Sequence, residues 1–382
     1  MDRGDPDAPD APDAYDGAVR PGPVHGVAGT VALVIACSPA HPTRPERTTV
    51  PDPGALPTAD PAALVLPAAP PPEVLACFDL PPGDARSHEL SGLAWDPAAR
   101  RLFAISDRNR ALTVLVPRPD LAGFDLAPSI PLDIDIAAWD GEAVALAGDR
   151  FLVVANETLP AVFSVDRAGH DARPLALRLR PGLRDNLGIE GIAYAAAGAR
   201  RYVFTVNEQA LEGDGPGSTV DHGTVVRLTR HSLDGEPLLE VAYRTDPVFA
   251  AGYGDAGVSD LAALSPDRVL VLERGWVRGA GNSTRVYAVD LRGAPSIAAL
   301  DDARRAAPVT KRLVLDLATV DDTRCSTPPA PQRRKIFDNY EGLAVGPALG
   351  DGRRVLFLVS DDNDSRWQLP RVVAIALAPG EL

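Results

Sequence analysis

The sequence predicts an all-β fold, a single β-propeller with five blades (six is the alternative count), and three observations predict it. First, a short motif recurs five times, as Ser91-Gly92-Leu93-Ala94, Glu142-Ala143-Val144-Ala145, Glu190-Gly191-Ile192-Ala193, Ser259-Asp260-Leu261-Ala262 and Glu341-Gly342-Leu343-Ala344. Second, each copy is followed by a hydrophobic run ending in an acid: Leu102 to Asp107, Phe151 to Glu157, Tyr202 to Glu208, Val269 to Glu273 and Val355 to Asp361. The first copies start about 50 residues apart and the last two intervals are longer, a spacing that marks a radial repeat rather than a layered domain. Third, amphipathic helical spacing is scarce, with only Ile297 to Ala306 hinting at a helix.

The elements follow in order. Leu90 to Trp95 reads as an inner strand, then Arg101 to Ser106 and Ala111 to Val116 as its neighbours. The second copy gives Ala143 to Leu146, Phe151 to Ala155, Ala161 to Val165 and Pro174 to Leu179, with Gly- and Asp-bearing turns between them. The third continues through Gly223 to Arg230 and Pro237 to Tyr243, and the fourth through Thr284 to Asp290 and Arg312 to Leu317. After Val355 to Ser360 and Arg371 to Leu377 the last copy lacks an outermost strand, while Glu73 to Leu80 is strand-like and has no repeat of its own. Pairing the two closes the ring and hides two sheet edges.

Residues 1–37 form an acidic, Pro-rich leader followed by an apolar run ending Val34-Ile35-Ala36-Cys37. That run resembles a secretory signal, and its end resembles the lipobox of bacterial lipoproteins, which makes Cys37 the expected lipidation site. The acidic leader departs from the basic start of such signals, and a start codon further along the chain would reconcile the two. The other reading is a short buried strand. Residues 38–72 have the Pro/Ala composition of a tether, and residues 73–382 are the propeller. Cys77 and Cys325 then remain as an even pair, a disulfide in an oxidising compartment or two buried thiols in a reducing one. The closing strand puts Cys77 on the last blade and Cys325 in the Pro-rich loop entering it, which favours the disulfide. The chain is expected in the cell envelope or outside the cell, touching membrane only through the lipid anchor, and as a monomer.

A net charge of −14 excludes a nucleic-acid partner, because phosphate backbones require a basic footprint. There is no His-Glu-x-x-His signature, no Gly-rich phosphate loop with Lys and no Gly-x-Ser-x-Gly elbow. Of the six His, only His88 and His222 fall near the acidic phase of the repeat.

The carboxylates are the positive signal. Glu142, Glu190, Asp260 and Glu341 start inner strands; Asp107, Glu157, Glu208, Glu273 and Asp361-Asp362 end second strands. Antiparallel neighbours bring both sets to one mouth of the ring. Crowded carboxylates repel unless a cation neutralises them, and oxygen ligands without Cys or His favour Ca2+ or Mg2+ over zinc. The nominated metal ligands are Glu142, Glu190, Glu208, Glu273, Glu341 and Asp361. The other reading is that each acid caps a turn in its own blade. Arg108, Arg184 and Arg274 lie among these acids and are the candidate clamps for an anionic substrate, or else salt-bridge partners.

The segment Asp338-Asn339-Tyr340-Glu341-Gly342-Leu343-Ala344 with Leu358-Val359-Ser360-Asp361-Asp362-Asn363 resembles the closing signature of the phytase-like family, described as having esterase-like activity. Glu190 to Ala193 with Val206-Asn207-Glu208, and Ser91 to Ala94 with Ser106-Asp107, resemble its earlier copies. The resemblance spans roughly Phe78 to Leu377. It implies an exported propeller hydrolysing a phosphate or other ester with Ca2+ at the mouth, its partner a small anionic ester. With Lys at only two positions, Lys311 and Lys335, the chain departs from calcium-dependent propeller phytases, which use several Lys. The alternative function is a non-enzymatic propeller binding a ligand or protein at the same mouth.

Overall fold

The computed structural model describes residues 70–382, apart from 157–159 and 185. Cys37, the leader, nearly all of the tether and Glu157 lie outside the described residues. The described part is a five-bladed β-propeller. Each blade is an antiparallel four-stranded sheet whose strands run from the ring outwards. Blade one is β2 (Leu90–Asp96), β3 (Arg101–Ser106), β4 (Ala111–Pro117) and β5 (Phe124–Pro131). Blade two is β6 (Ala143–Ala147), β7 (Arg150–Val154), β8 (Val162–Asp166) and β9 (Arg173–Pro174). Blade three is β10 (Ile189–Ala197), β11 (Arg200–Asn207), β12 (Val225–Ser232) and β13 (Pro237–Arg244). Blade four is β14 (Gly254–Ser265), β15 (Arg268–Val277), β16 (Gly281–Asp290) and β17 (Lys311–Asp316). Blade five is β18 (Asn339–Ala348), β19 (Arg354–Asp361), β20 (Arg371–Leu377) and, outermost, β1 (Glu73–Asp79).

Both faces of a blade pack on neighbours, so middle strands are continuous apolar runs rather than alternating ones; every residue of β20 is buried. Leu270, Val286, Leu358 and Ile375 fill the gap between blades four and five. Leu93, Leu102, Phe357 and Val372 fill the next, between five and one. Equivalent clusters occupy the other three gaps, and this sequence of cores holds the ring together.

Ring closure follows the sequence reading. β1 pairs antiparallel with β20, Cys77 opposite Val373 and Phe78 opposite Val372. Cys77 and Cys325 are disulfide-bonded, with Cα atoms 5.0 Å apart. A second latch lies beside them. Arg371, wholly buried, donates through Nε to Asp79 on β1 (2.6 Å) and through Nη2 to Ser326 Oγ (2.8 Å), so one guanidinium grips the closing strand and the disulfide loop together.

Two expectations are refined. The outer strand of blade two is short: the Leu175 N–H still donates to the Val162 carbonyl (2.8 Å), but the Leu177 and Leu179 N–H groups turn back to the carbonyls two residues before them. The helix hinted at over Ile297 to Ala306 is a loop with a single 3-10 turn, Ala303–Arg305. Its apolar residues cover the outer edge of blade three: Ile297 and Ala303 pack on Val225 and Ala242, and Ile297 N–H donates to the Glu240 carbonyl (2.8 Å). This long interval protects an edge and does not form a sixth blade.

Candidate functional site at the top of the ring

The inner strands carry the site because of a repeated irregularity. The register of β10 with β11 slips between Ile189 and Gly191, that of β14 with β15 between Val258 and Asp260, and that of β18 with β19 between Tyr340 and Gly342. Each slip is a β-bulge that leaves one residue unpaired, namely Glu190, Ser259 and Glu341, and bulges re-aim side chains. The glycine that follows lets neighbouring inner strands touch. A Cβ on Gly92 would lie 2.6 Å from Ala143 Cα, and one on Gly342 2.6 Å from the Ser91 carbonyl.

Blade four breaks this pattern. Asp260 stands in the glycine position, not the bulge position, and its buried carboxylate spans the inside of the ring. It accepts N–H groups from Leu261 (2.7 Å) and from Leu343 of blade five (2.7 Å), and the Leu93 amide of blade one also bonds to it. Burial pushes its pKa well up, against the pull of those three amides. Asp260→Ala is expected to destabilise the fold by about 2–3 kcal/mol, since buried donors lose their acceptor. Urea unfolding of the variant checks this, and an unchanged midpoint would refute it.

The second strands are offset in the same way. Counting two residues before each bulge, the partners are Asp107 (to Glu89), Glu208 (to Gly188), Arg274 (to Gly257) and Asp361 (to Asn339). In blade four an arginine therefore takes the carboxylate slot. Glu273, one residue earlier, faces the opposite side of the sheet because side chains alternate. Its carboxylate accepts bonds from Tyr243 Oη, Lys311 Nζ (2.6 Å) and the Asp246 N–H (2.8 Å), between blades three and four. The structure does not bring Glu273 to the other nominated ligands.

Asp107, Glu341 and Asp361 converge, each offering an oxygen within 4.8 Å of the others. Asp361 and Glu341 were nominated from the sequence; Asp107 has the right phase but stands outside the nominated set. Asp107 Oδ1 is buried with no hydrogen-bond partner among the described residues. Burial drives the Asp107 pKa well up, reinforced by Glu142, Asp361 and Glu341; Asp361 is likewise raised by burial and by Glu341. Asn339, which sequence reasoning did not single out, donates through Nδ2 to Glu341 Oε1 (2.8 Å) and, at 3.5 Å, to Asp361 Oδ2. The available signal was its place in the segment Asp338 to Ala344, two residues before Glu341.

The other half of the acidic ring is compensated. Arg274 Nη2 lies 3.2 Å from Glu208 Oε1 and 3.4 Å from Glu341 Oε1. Burial opposes its charge, but Glu341, Glu208, Asp255 and Glu190 together raise its pKa further. Glu142 lies on the Asp107 side. Its carbonyl accepts the Gly92 N–H (2.8 Å) and Ser91 Oγ–H (2.6 Å), which joins blades one and two. Arg108 is on the rim, 55% exposed, bridging Glu89 (2.6 Å) and Asp364 (3.0 Å). Arg184 instead ties down a loop, donating to the carbonyls of Ala210 and Gly215. His88 Nδ1 lies 2.6 Å from Asp362 Oδ2, next to the cluster, whereas His222 is exposed in a loop.

An all-β ring whose first and second strands deliver carboxylates to one end is a propeller with an acidic pole. Residues 86–364 match the family described as phytase-like, esterase-like activity of phytase, and the chain belongs to that family. A comparison with curated protein sequences finds no match. Among solved structures, the chain is similar to an endo-arabinase from Bacteroides thetaiotaomicron, at 11% identity and a TM-score of 0.43, covering 79% of this chain and 96% of that one. It is also similar to the catalytic domain of an α-L-arabinofuranosidase from Coprinopsis cinerea, at 11% identity and a TM-score of 0.46, covering 82% and 98%. These likenesses bear on neither substrate nor mechanism. The disulfide suits an oxidising compartment. No helix among the described residues is long and apolar enough to cross a membrane.

Proposed function

We propose that this chain is an exported hydrolase that cleaves a phosphate or other ester of a small anionic substrate, with Ca2+ held by Asp107, Glu341 and Asp361. The observation that carries the reading is the convergence of those three carboxylates, together with a buried Asp107 Oδ1 that has no hydrogen-bond partner among the described residues. Desolvated acids at such a distance are costly without a cation, and an all-oxygen donor set fits a hard one. When bound, the ion polarises the ester and lowers the pKa of the attacking water. The protein's own groups arrange the rest. Asn339 orients Glu341 and Asp361, Arg274 holds Glu341 from the far side, and exposed Arg108 meets the anionic part of the substrate at the rim. Export is supported by the disulfide, with Cys37 as the lipid-bearing residue and the monomer as the working unit.

The test is turnover on a panel of phosphate and carboxylate esters, with and without a chelator, alongside calcium calorimetry. Hydrolysis lost on chelation and restored by Ca2+ is the expected result. Metal-independent turnover, or none on any ester, overturns the reading. Tight Ca2+ binding without turnover replaces it with a ligand-binding propeller.

A further inference from the structure

Blade four extends beyond the site where the other blades stop. β14 begins at Gly254, five residues before its bulge residue Ser259, whereas β18 begins two residues before Glu341 and β10 one before Glu190. β15 and β16 extend with it, paired through Gly254 with Val277 and Val277 with Gly281. At roughly 3.3 Å per residue, Val277 stands about 10 Å past Arg274. The extension is a wall beside the carboxylates.

Its inner surface has a defined chemistry. Alternation places Trp276 on the same face as Arg274, and Asp255, directly opposite Trp276, shares that face. Tyr253, 54% exposed just ahead of β14, meets Trp276 edge to face, with ring centroids 6.3 Å apart. The Arg278 guanidinium lies 5.2 Å from the Tyr253 ring. The wall is also braced. Gln332 Oε1 accepts the Asn282 N–H (2.8 Å), Arg333 donates to the Asn282 carbonyl (3.2 Å), and Arg333 stacks 4.2 Å from the Phe249 ring. An aromatic pair with one ring on a braced strand and the other beside its end presents defined ring geometry at little entropic cost. An arginine beside it adds attraction for π-electrons and for a nearby negative charge.

We propose that Tyr253, Trp276 and Arg278 form a shelf for the alcohol portion of the substrate, and that this portion is a planar aromatic ring. The substrates of choice are then aryl rather than alkyl phosphate esters. The inference rests on the hydrolase reading above and specifies its substrate class.

The test uses the full calcium-loaded chain with phenyl, cyclohexyl and methyl phosphate, and phenylphosphonate as a non-hydrolysable probe followed by calorimetry. KM for phenyl phosphate is expected to be about fivefold below that for cyclohexyl phosphate, the scale of aromatic pairing beyond simple burial. Trp276→Leu and Tyr253→Leu should erase that difference while leaving kcat and the KM for methyl phosphate unchanged, and Trp276→Phe should largely restore it. Equal KM values for phenyl and cyclohexyl phosphate, or a Trp276→Leu loss spread evenly over all three esters, overturns the shelf. Phenylphosphonate binding that depends on Trp276 without any ester turnover upholds the shelf and removes the hydrolase reading. Turnover that ignores Trp276 does the reverse.

Discussion

Asp361→Asn is expected to weaken Ca2+ binding by about 100-fold or more and to abolish calcium-dependent ester turnover, with the fold retained. A lost direct ligand should cost at least as much as the 10–100-fold typical of supporting residues. Asn has the same shape but presents an amide N–H where a carboxylate oxygen is needed. Because Asp361 is crowded by Glu341 and Asp362 and is buried, the substitution also relieves repulsion. The calcium-free variant should therefore be at least as stable as the unsubstituted protein, while the extra stability conferred by Ca2+ disappears. Thermal unfolding with and without Ca2+ reads both signs at once. Glu273→Gln is the matching control. It disturbs the contacts with Tyr243 and Lys311, so it should lower stability and leave calcium affinity unchanged. A calcium shift that survives Asp361→Asn, or vanishes in Glu273→Gln, would place the ion elsewhere.

The contrast between Asp361 and Glu273 shows what could be read from the sequence and what could not. The four-residue motif ending hydrophobic-Ala, opened by Ser or Glu, marked the inner strands, and the hydrophobic runs marked their neighbours, so five blades and the closing strand were legible. Inter-strand register was not. A bulge adds one residue to one strand, and a shift of one residue reverses the direction of every side chain after it. In blade four the motif reads Ser259-Asp260 where blades three and five read Glu-Gly, and the second strand carries Glu273-Arg274. Aligning on the acids therefore matched Asp260 and Glu273 to the wrong positions, while Ser259 and Arg274 hold the right ones. Arg274 proves to be the internal counter-ion of Glu208 and Glu341. The extended wall of blade four was hidden for a related reason: the extra residues of β14 and β15 fall in the two longer intervals, outside the repeated motifs.

Removing the disulfide by Cys77→Ser with Cys325→Ser should lower the unfolding free energy by about 4 kcal/mol, as long closed loops are estimated to give. The bond closes a loop of 248 residues, almost the whole ring, between Cα atoms 5.0 Å apart. The loss should be local first. β1 is the outermost strand of the last blade, with β20 as its one strand neighbour, so freeing it exposes one edge and opens the ring at a single seam. Arg371 still grips Asp79 and Ser326 across that seam, which is why the serine pair is expected to fold. The two latches hold adjacent residues, Cys325 and Ser326, to the same strand, so adding Arg371→Leu should cost more than the sum of the separate changes. Hydrogen exchange should show amides of β1 and the edge of β20 losing protection before those of β2 or β10. Reductant added to the unsubstituted protein should reproduce the shift in the urea midpoint. If the midpoint does not move and protection falls evenly over all five blades, the strand is held by its packing alone and the disulfide contributes nothing to closure.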